Sequence, residues 1–472
     1  MMRPPLDPHQ HPLAPASLTD RTTLILAITP QRSRTEWWWV GGLLLVGLLI
    51  RLHYAPNGGF FYDLKAYTDW GRTLDAHFFT PYSAFSTMNY PPLAIYLCAF
   101  GVTAVSIINP LLHLAVPTNV LISGELAIFE KIPVLICDIV LIASLFWMAR
   151  HYLSFWWSFA LAAAYAFSPA VILVGSDWGQ MDGVFALCLV FAFWFAIHHK
   201  AGWAGVMFGL ALMLKPQPVV LTPVFLVYMW HDGWRALGRT VGAIAATCTV
   251  ICLPYLIPPN FEILVMLRNI VNSLSPNTSS YAYNMWWGLG LAFKKAAKPV
   301  VGPFSATLVG WFIFALVVIV ICLLIWRVPN PVTFLVGAAL VMYAFFDFTT
   351  GQHERYLFPA LPLFLLAAIW QRRYLIWYSL ATAMSFGNMM SIIIRRYRPK
   401  SILNVYPLQH FWILQSISWL NVIFFGVALG LLLHTYWPDI WGKRSPAQGS
   451  VDLADAETLH MRALRPVNPA TS

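Results

Sequence analysis

Charge is scarce in this sequence. Only 10% of its 472 residues are Asp, Glu, Lys or Arg, too few to give a water-soluble globule a polar skin. Cysteine is scarcer still: Cys98, Cys137, Cys188, Cys248, Cys252 and Cys322 all lie in apolar stretches without paired spacing, which argues against a disulfide framework or a zinc cluster. Acidic residues number 19 against 29 basic ones, a formal charge of +10. Because the basic residues punctuate the ends of hydrophobic runs, this excess speaks for orientation in a bilayer and not for a nucleic-acid partner. The N-terminus lacks the apolar core and small-residue cleavage site of a secretory signal. What the chain has instead is 59% hydrophobic residues, 22 tryptophans and a mean hydropathy of +0.66. It is an all-α, polytopic integral membrane protein.

Only the ends look soluble. Residues 1–35 are Pro- and His-rich and read as a disordered cytoplasmic tail; residues 441–472 return to polar composition, with one short helix around DLADAETLHMRAL. Between them, residues 36–440 form one membrane domain of about 12 spans, allowing about 17–25 residues for each. Arg32 and Arg34 precede the first span, and Arg150, His198–Lys200, Arg235, Arg327, Arg372 and Lys443 then fall at alternate turns. That pattern puts both termini in the cytoplasm. Keeping this register requires residues 54–128 to be one long outer segment, with amphipathic or re-entrant helices, and residues 258–304 to be a second. RRYRPK at 395–400 then falls on the outer side, either through an error in a late span or as a basic rim for a lipid phosphate.

With this topology every polar cluster of chemical interest is on one face. In FYDLKAYTDW (61–70), helical spacing puts Asp63, Tyr67 and Trp70 on one side and turns Lys65 and Asp69 away. The carboxylate beside an aromatic shelf is the candidate catalytic group; a helix cap or ion pair is the structural alternative. Lys215 lies in LKPQP, where Pro216 and Pro218 break a helix. It is either a snorkelling lysine or a cation for an anionic ligand. His353, Glu354 and Arg355 combine groups suited to phosphate or sugar contacts, against a helix-end salt bridge. No outer DxD pair and no second histidine at ligand spacing accompany them, so no metal or other cofactor is expected. In SDWGQMDG (176–183), Asp177 and Asp182 flank Trp178, a pairing of flat apolar face with carboxylates that suits a sugar; helix capping competes.

The succession of Asp63, Ala66 and Trp70, then YPPLAIY (90–96), KIPVLICDIV (131–140), WGQMD (178–182), LKPQ (214–217) and HER (353–355) resembles the GT-C membrane glycosyltransferases. Within them it is similar to the dolichyl-phosphate-glucose-dependent glucosyltransferases that extend the lipid-linked N-glycan precursor, and to related bacterial and GPI-type mannosyltransferases. The resemblance spans roughly residues 40–370. Tyr62, Pro216 and Arg355 depart from the usual pattern.

The resemblance implies an inverting transfer of a hexose, glucose or mannose, from a polyprenyl-phosphate sugar to a lipid-linked glycan or other acceptor hydroxyl. The host membrane would be a bacterial plasma membrane, or the endoplasmic reticulum in a eukaryote, with the site on the non-cytoplasmic side. An alcohol is a poor nucleophile, so Asp63 would act as general base. The phosphate leaving group needs charge more than a proton, which Lys215, His353 and Arg355 would supply. Tyr67, Trp70, Tyr90, Trp178, Gln180, Asp182, Gln217 and Glu354 would hold sugar or acceptor. The partners are then the lipid-linked donor, the acceptor and membrane lipids, with no nucleic acid. Two other classes fit the same apolar chain: a transporter or flippase, expected to show two related halves, and a non-catalytic assembly subunit.

Overall fold

The computed structural model describes residues 34–57, 59–112, 127–258, 261–397 and 411–441. The tails 1–33 and 442–472 and the side chains of the basic run 395–400 lie outside them, as does the part of the first outer segment from 113 to 126.

Helices dominate. In chain order they are α1 (Arg34–Tyr54), α2 (Phe61–Ala76), the short α3 (Pro81–Ala84), α4 (Pro92–Leu112), α5 (Ala127–Arg150), α6 (Phe155–Ala166), α7 (Asp182–Ile197), α8 (Ala201–Leu214), α9 (Thr222–Trp230) and α10 (Trp234–Cys252). They continue as α11 (Glu262–Ser273), α12 (Met285–Gly288), α13 (Ala306–Arg327), α14 (Pro331–Phe348), α15 (Ala360–Ala367), α16 (Tyr374–Tyr397) and α17 (Phe411–Trp441). Strand structure is confined to two small pairs among the described residues: β1 (Ser279–Ser280) parallel to β4 (Gln352–His353), and β2 (Pro299–Val301) antiparallel to β3 (Phe304–Ser305).

By length and composition, seven described helices are apolar enough to cross a membrane. The expected count of about twelve treats the shorter apolar helices as crossings too. Those short helices sit where prolines interrupt the chain or where the bundle buries them on all sides. Every residue of α15 is buried. A helix enclosed by others needs no long apolar surface of its own. Asn330 starts α14 with a capping box ahead of Pro331, satisfying amide donors that no neighbour reaches. α8 and α10 approach closely through Gly205 and Gly209, where a β-carbon would lie 2.4 Å from the Thr240 carbonyl and 2.9 Å from Thr247. Small residues at four-residue spacing are the usual means of such contact between membrane helices.

The bundle has two chemically distinct ends. At one, Arg150 meets Glu36 at 3.4 Å, Tyr152 meets His198, His199 meets Asp232, and Arg372 lies over Trp157. At the other, α2, α3, α4, α11 and the loop 349–359 close over the ends of α5, α7 and α8. The described part of segment 54–128 is thus packed: Gly71 on α2 rests against the Cys98 backbone of α4, too close for a larger residue.

Candidate functional site

The site is built around a turn that is not α-helical. After α6, residues Ile172–Asp177 wind as a π-helix, so the Trp178 amide reaches back to the Leu173 carbonyl and the Gln180 amide to that of Val174. This wider winding leaves the carbonyls of Ser176 and Asp177 without helical partners. Lys131, fully buried at the start of α5, takes both, together with the carbonyls of Ala55 and Asn57, at 2.8–3.0 Å. One ammonium therefore ties the exit of α1 to the WGQMD turn. Gly59 and Gly179 make the contact feasible: both have positive φ, and a β-carbon on Gly59 would stand 2.4 Å from the Trp178 carbonyl. Asn57 also donates to Asp177. One helical layer further in, Arg51 pairs with Asp138 at 2.9 Å in full burial, with Tyr165 donating to the same carboxylate.

That turn presents Trp178 and Gln180 to α2. Trp178 Nε1 donates to Asp63 Oδ2 at 2.8 Å, and Gln180 Nε2 donates to the same oxygen. Tyr67, one turn along α2, donates to Gln180 Oε1 at 2.8 Å, which orients the amide. Burial, with Tyr90 and Asp63 nearby, pushes the Tyr67 hydroxyl well above its ordinary pKa, so it remains a donor. Trp70 and Tyr90 complete an aromatic corner, with ring centroids 5.3–6.1 Å apart among Tyr67, Trp70 and Tyr90. Lys65 and Asp69 pair with each other on the opposite side of α2.

Two cations face this corner. Arg355 Nη1 lies 3.8 Å from Asp63 Oδ2 and 2.9 Å from Glu354 Oε1, with its guanidinium over the Trp178 ring at 5.7 Å. Lys215 Nζ lies 2.9 Å from Asp182 Oδ2 and 5.6 Å from the Tyr90 ring centre. The lysine and the Asp182 oxygen meet without hydrogen-bond alignment, and neither atom has a hydrogen-bond partner among the described residues; Trp70 Nε1, Asn89 Oδ1 and Arg355 Nε are in the same position. Buried polar atoms are rarely left so, and here donors and acceptors line one corner.

Burial alone would raise the Glu354 carboxyl, but His353, 3.8 Å away, and the charge of Arg355 outweigh it and hold the group below its ordinary range. Burial likewise opposes the Arg355 charge, yet Asp63 and Glu354 outweigh it and keep the guanidinium firmly protonated.

Most of the residues singled out in the sequence therefore meet: Asp63, Tyr67, Trp70, Tyr90, Trp178, Gln180, Asp182, Lys215, Glu354 and Arg355. Two stand apart. His353 sits on the rim, a third exposed, 3.8 Å from Glu354 and edge-on to Tyr356. Gln217 opens the turn two residues past Lys215, with Oε1 unpartnered among the described residues. Tyr356, Lys131 and Asn57 were not foreseen as site residues. Lys131 did carry a signal, a cation at the head of the apolar run KIPVLICDIV; Asn57 carried none.

Chemically, the corner combines a carboxylate with one oxygen held by two N–H donors, aromatic faces, and two buried cations. The model of glycosyltransferase family 87 matches residues 89–347, more than half of the chain. The chain belongs to that family. It is a membrane glycosyltransferase. The matched span includes Tyr90, Trp178, Gln180, Asp182, Lys215 and Gln217, while Asp63 and Glu354–Arg355 lie outside it. No curated protein matches the sequence. Membership disfavours the transporter reading, since the family is defined by sugar transfer.

Proposed function

We propose that this family 87 protein is a GT-C-type, inverting transferase that takes a hexose from a polyprenyl-phosphate sugar and passes it to a lipid-linked or glycan acceptor hydroxyl at the non-cytoplasmic face. The observation that carries the reading is the convergence of Asp63 with Arg355 and Lys215 at one end of the bundle. Trp178 and Gln180 both donate to Asp63 Oδ2, so Oδ1 is the oxygen that accepts the acceptor's proton. That step typically contributes about 10² to 10⁴ in rate. The departing phosphate is a weak base and is stabilised by Arg355 and Lys215 without proton transfer; metal is not required in this scheme. Lys215 is positioned for this by Asp182, Arg355 by Glu354. The aromatic corner of Tyr67, Trp70 and Tyr90 receives sugar or acceptor rings.

A donor with a long hydrocarbon tail explains why a charged corner sits at the end of a membrane bundle: the tail stays in lipid while the headgroup reaches the carboxylate. The test is transfer in proteoliposomes supplied with polyprenyl-phosphate glucose, mannose or arabinose. Transfer from one of them, reduced by at least about 10² in Asp63→Asn, is the expected result. Undiminished turnover in that variant removes Asp63 as base, and no transfer from any polyprenyl-phosphate sugar removes the donor class.

A further inference from the structure

The loop 258–304 carries a surface that the transfer reaction does not use. Its helix α11 is inside out for a helix facing water: Glu262, Met266 and Asn269 are buried, while Leu264, Leu267 and Val271, with Leu274 just past the end, are exposed by half or more. At about 100° per residue the exposed apolar side chains share one arc, flanked on one edge by Arg268 and Asn272. The helix is too short and too polar to be a span, and it is absent from the candidate spans.

The spans that flank the loop in the chain also expose apolar side chains. Ahead of α11, the span α10 exposes Val250, and Leu253 and Ile257 follow it; behind it, the span α13 exposes Leu308, Trp311 and Phe312. Charge points the same way. Glu262 is the loop's one acidic residue, and it is buried, accepting from the backbone amides of Tyr82 and Ser83 at 2.8 and 3.0 Å and from the Ser83 hydroxyl. The exposed charges are Arg268, Lys294, Lys295 and Lys298. They lie at the end of the bundle opposite the basic turns around Arg150 and Arg372, so a rule that gathers cations on one side does not account for them.

We propose that α11 lies in the plane of the bilayer surface, its Leu264–Leu274 arc at the acyl boundary, with its Arg268 and the loop's Lys294, Lys295 and Lys298 on anionic phospholipid headgroups. An exposed apolar stripe in a loop whose exposed charges are all cations is the pattern of interfacial helices. Its inner face holds the active end: Glu262 and Asn269 grip α3 at Ser83 and Tyr82, and the Tyr82 hydroxyl donates to the Tyr90 carbonyl at 2.9 Å. The bilayer-seated helix is thereby joined to the aromatic corner.

The test leaves transferase activity aside, so it stands or falls apart from the proposed reaction. An environment-sensitive fluorophore is placed on Leu267→Cys, Val271→Cys and, for comparison, Asn272→Cys in the full chain in vesicles, with the unsubstituted protein labelled in parallel to subtract its native cysteines. Phospholipids brominated on the acyl chain should quench the labels at 267 and 271 several-fold more than that at 272, with aqueous iodide giving the reverse order. Adding an anionic phospholipid should deepen quenching at 267, and the triple change Lys294→Gln, Lys295→Gln, Lys298→Gln should abolish that gain. Iodide quenching of 267 and 271 as strong as that of 272, or protection of both from both quenchers as a covering protein would give, overturns the placement. A response at 267 indifferent to headgroup charge overturns the anionic contact.

Discussion

Asp63, Glu354 and Arg355 form a short alternation of charge, and its consequences differ from residue to residue. Asp63 is the partly exposed member, and its substitution is a test of chemistry. Glu354 is a test of linkage. Its carboxyl lies below the ordinary 4.5 because His353 and Arg355 outweigh burial, so the stability it contributes is present above that value and lost as pH falls through the lower folded one. Glu354→Gln should therefore be less stable than the native protein at neutral pH, and the gap should narrow below about pH 4.5. Thermal unfolding in detergent across that range checks it; a gap that widens on acidification refutes the assignment. Arg355→Lys keeps charge but loses the planar fork that meets Glu354 while covering Trp178. It should retain the fold and lose transfer by at least about tenfold, a factor equivalent to only ~1.4 kcal/mol.

At the scale of elements, the decisive object is the joint between α1, α5 and the π-helical turn. Lys131 supplies three protons to four carbonyls, so Lys131→Met strands acceptors that water does not reach. Each buried unsatisfied group costs about 1–3 kcal/mol, and several are left at once. A clear drop in unfolding temperature, of several degrees, is expected, and Lys131→Arg should not restore it, because a flat guanidinium cannot aim at carbonyls converging on a point. Gly59→Ala attacks the same joint from the other side. Positive φ alone costs about 1–2 kcal/mol for a residue with a β-carbon, and the contact with the Trp178 carbonyl adds to it. An unfolding midpoint unchanged in both variants would show that the joint is dispensable.

For the whole molecule, the two ends of the bundle are chemically unlike, and this makes orientation measurable. A membrane-impermeant maleimide should reach His199→Cys and Lys295→Cys from opposite sides of sealed vesicles, Lys295→Cys from the non-cytoplasmic one. Labelling of both from one side would contradict the positive-inside assignment.

Composition and the long unbroken apolar runs determined the helical membrane class, because in lipid the backbone must be hydrogen-bonded internally and runs of that length do so as helices. Local spacing determined that Asp63, Tyr67 and Trp70 share a helix face, and the order of short polar motifs marked the pieces of the site. Tertiary structure decided the rest. The π-helical winding at Ile172–Asp177 leaves no hydrophobic period to read, and the four carbonyls on Lys131 are backbone groups that no side-chain pattern announces. The pairing of Lys215 with Asp182 and of Arg355 with Asp63 depends on contacts between segments far apart in the chain. The inverted face of α11 became visible only once its polar side was seen to be buried. A sequence records which residues share a surface; which surface meets protein and which meets lipid is set by packing.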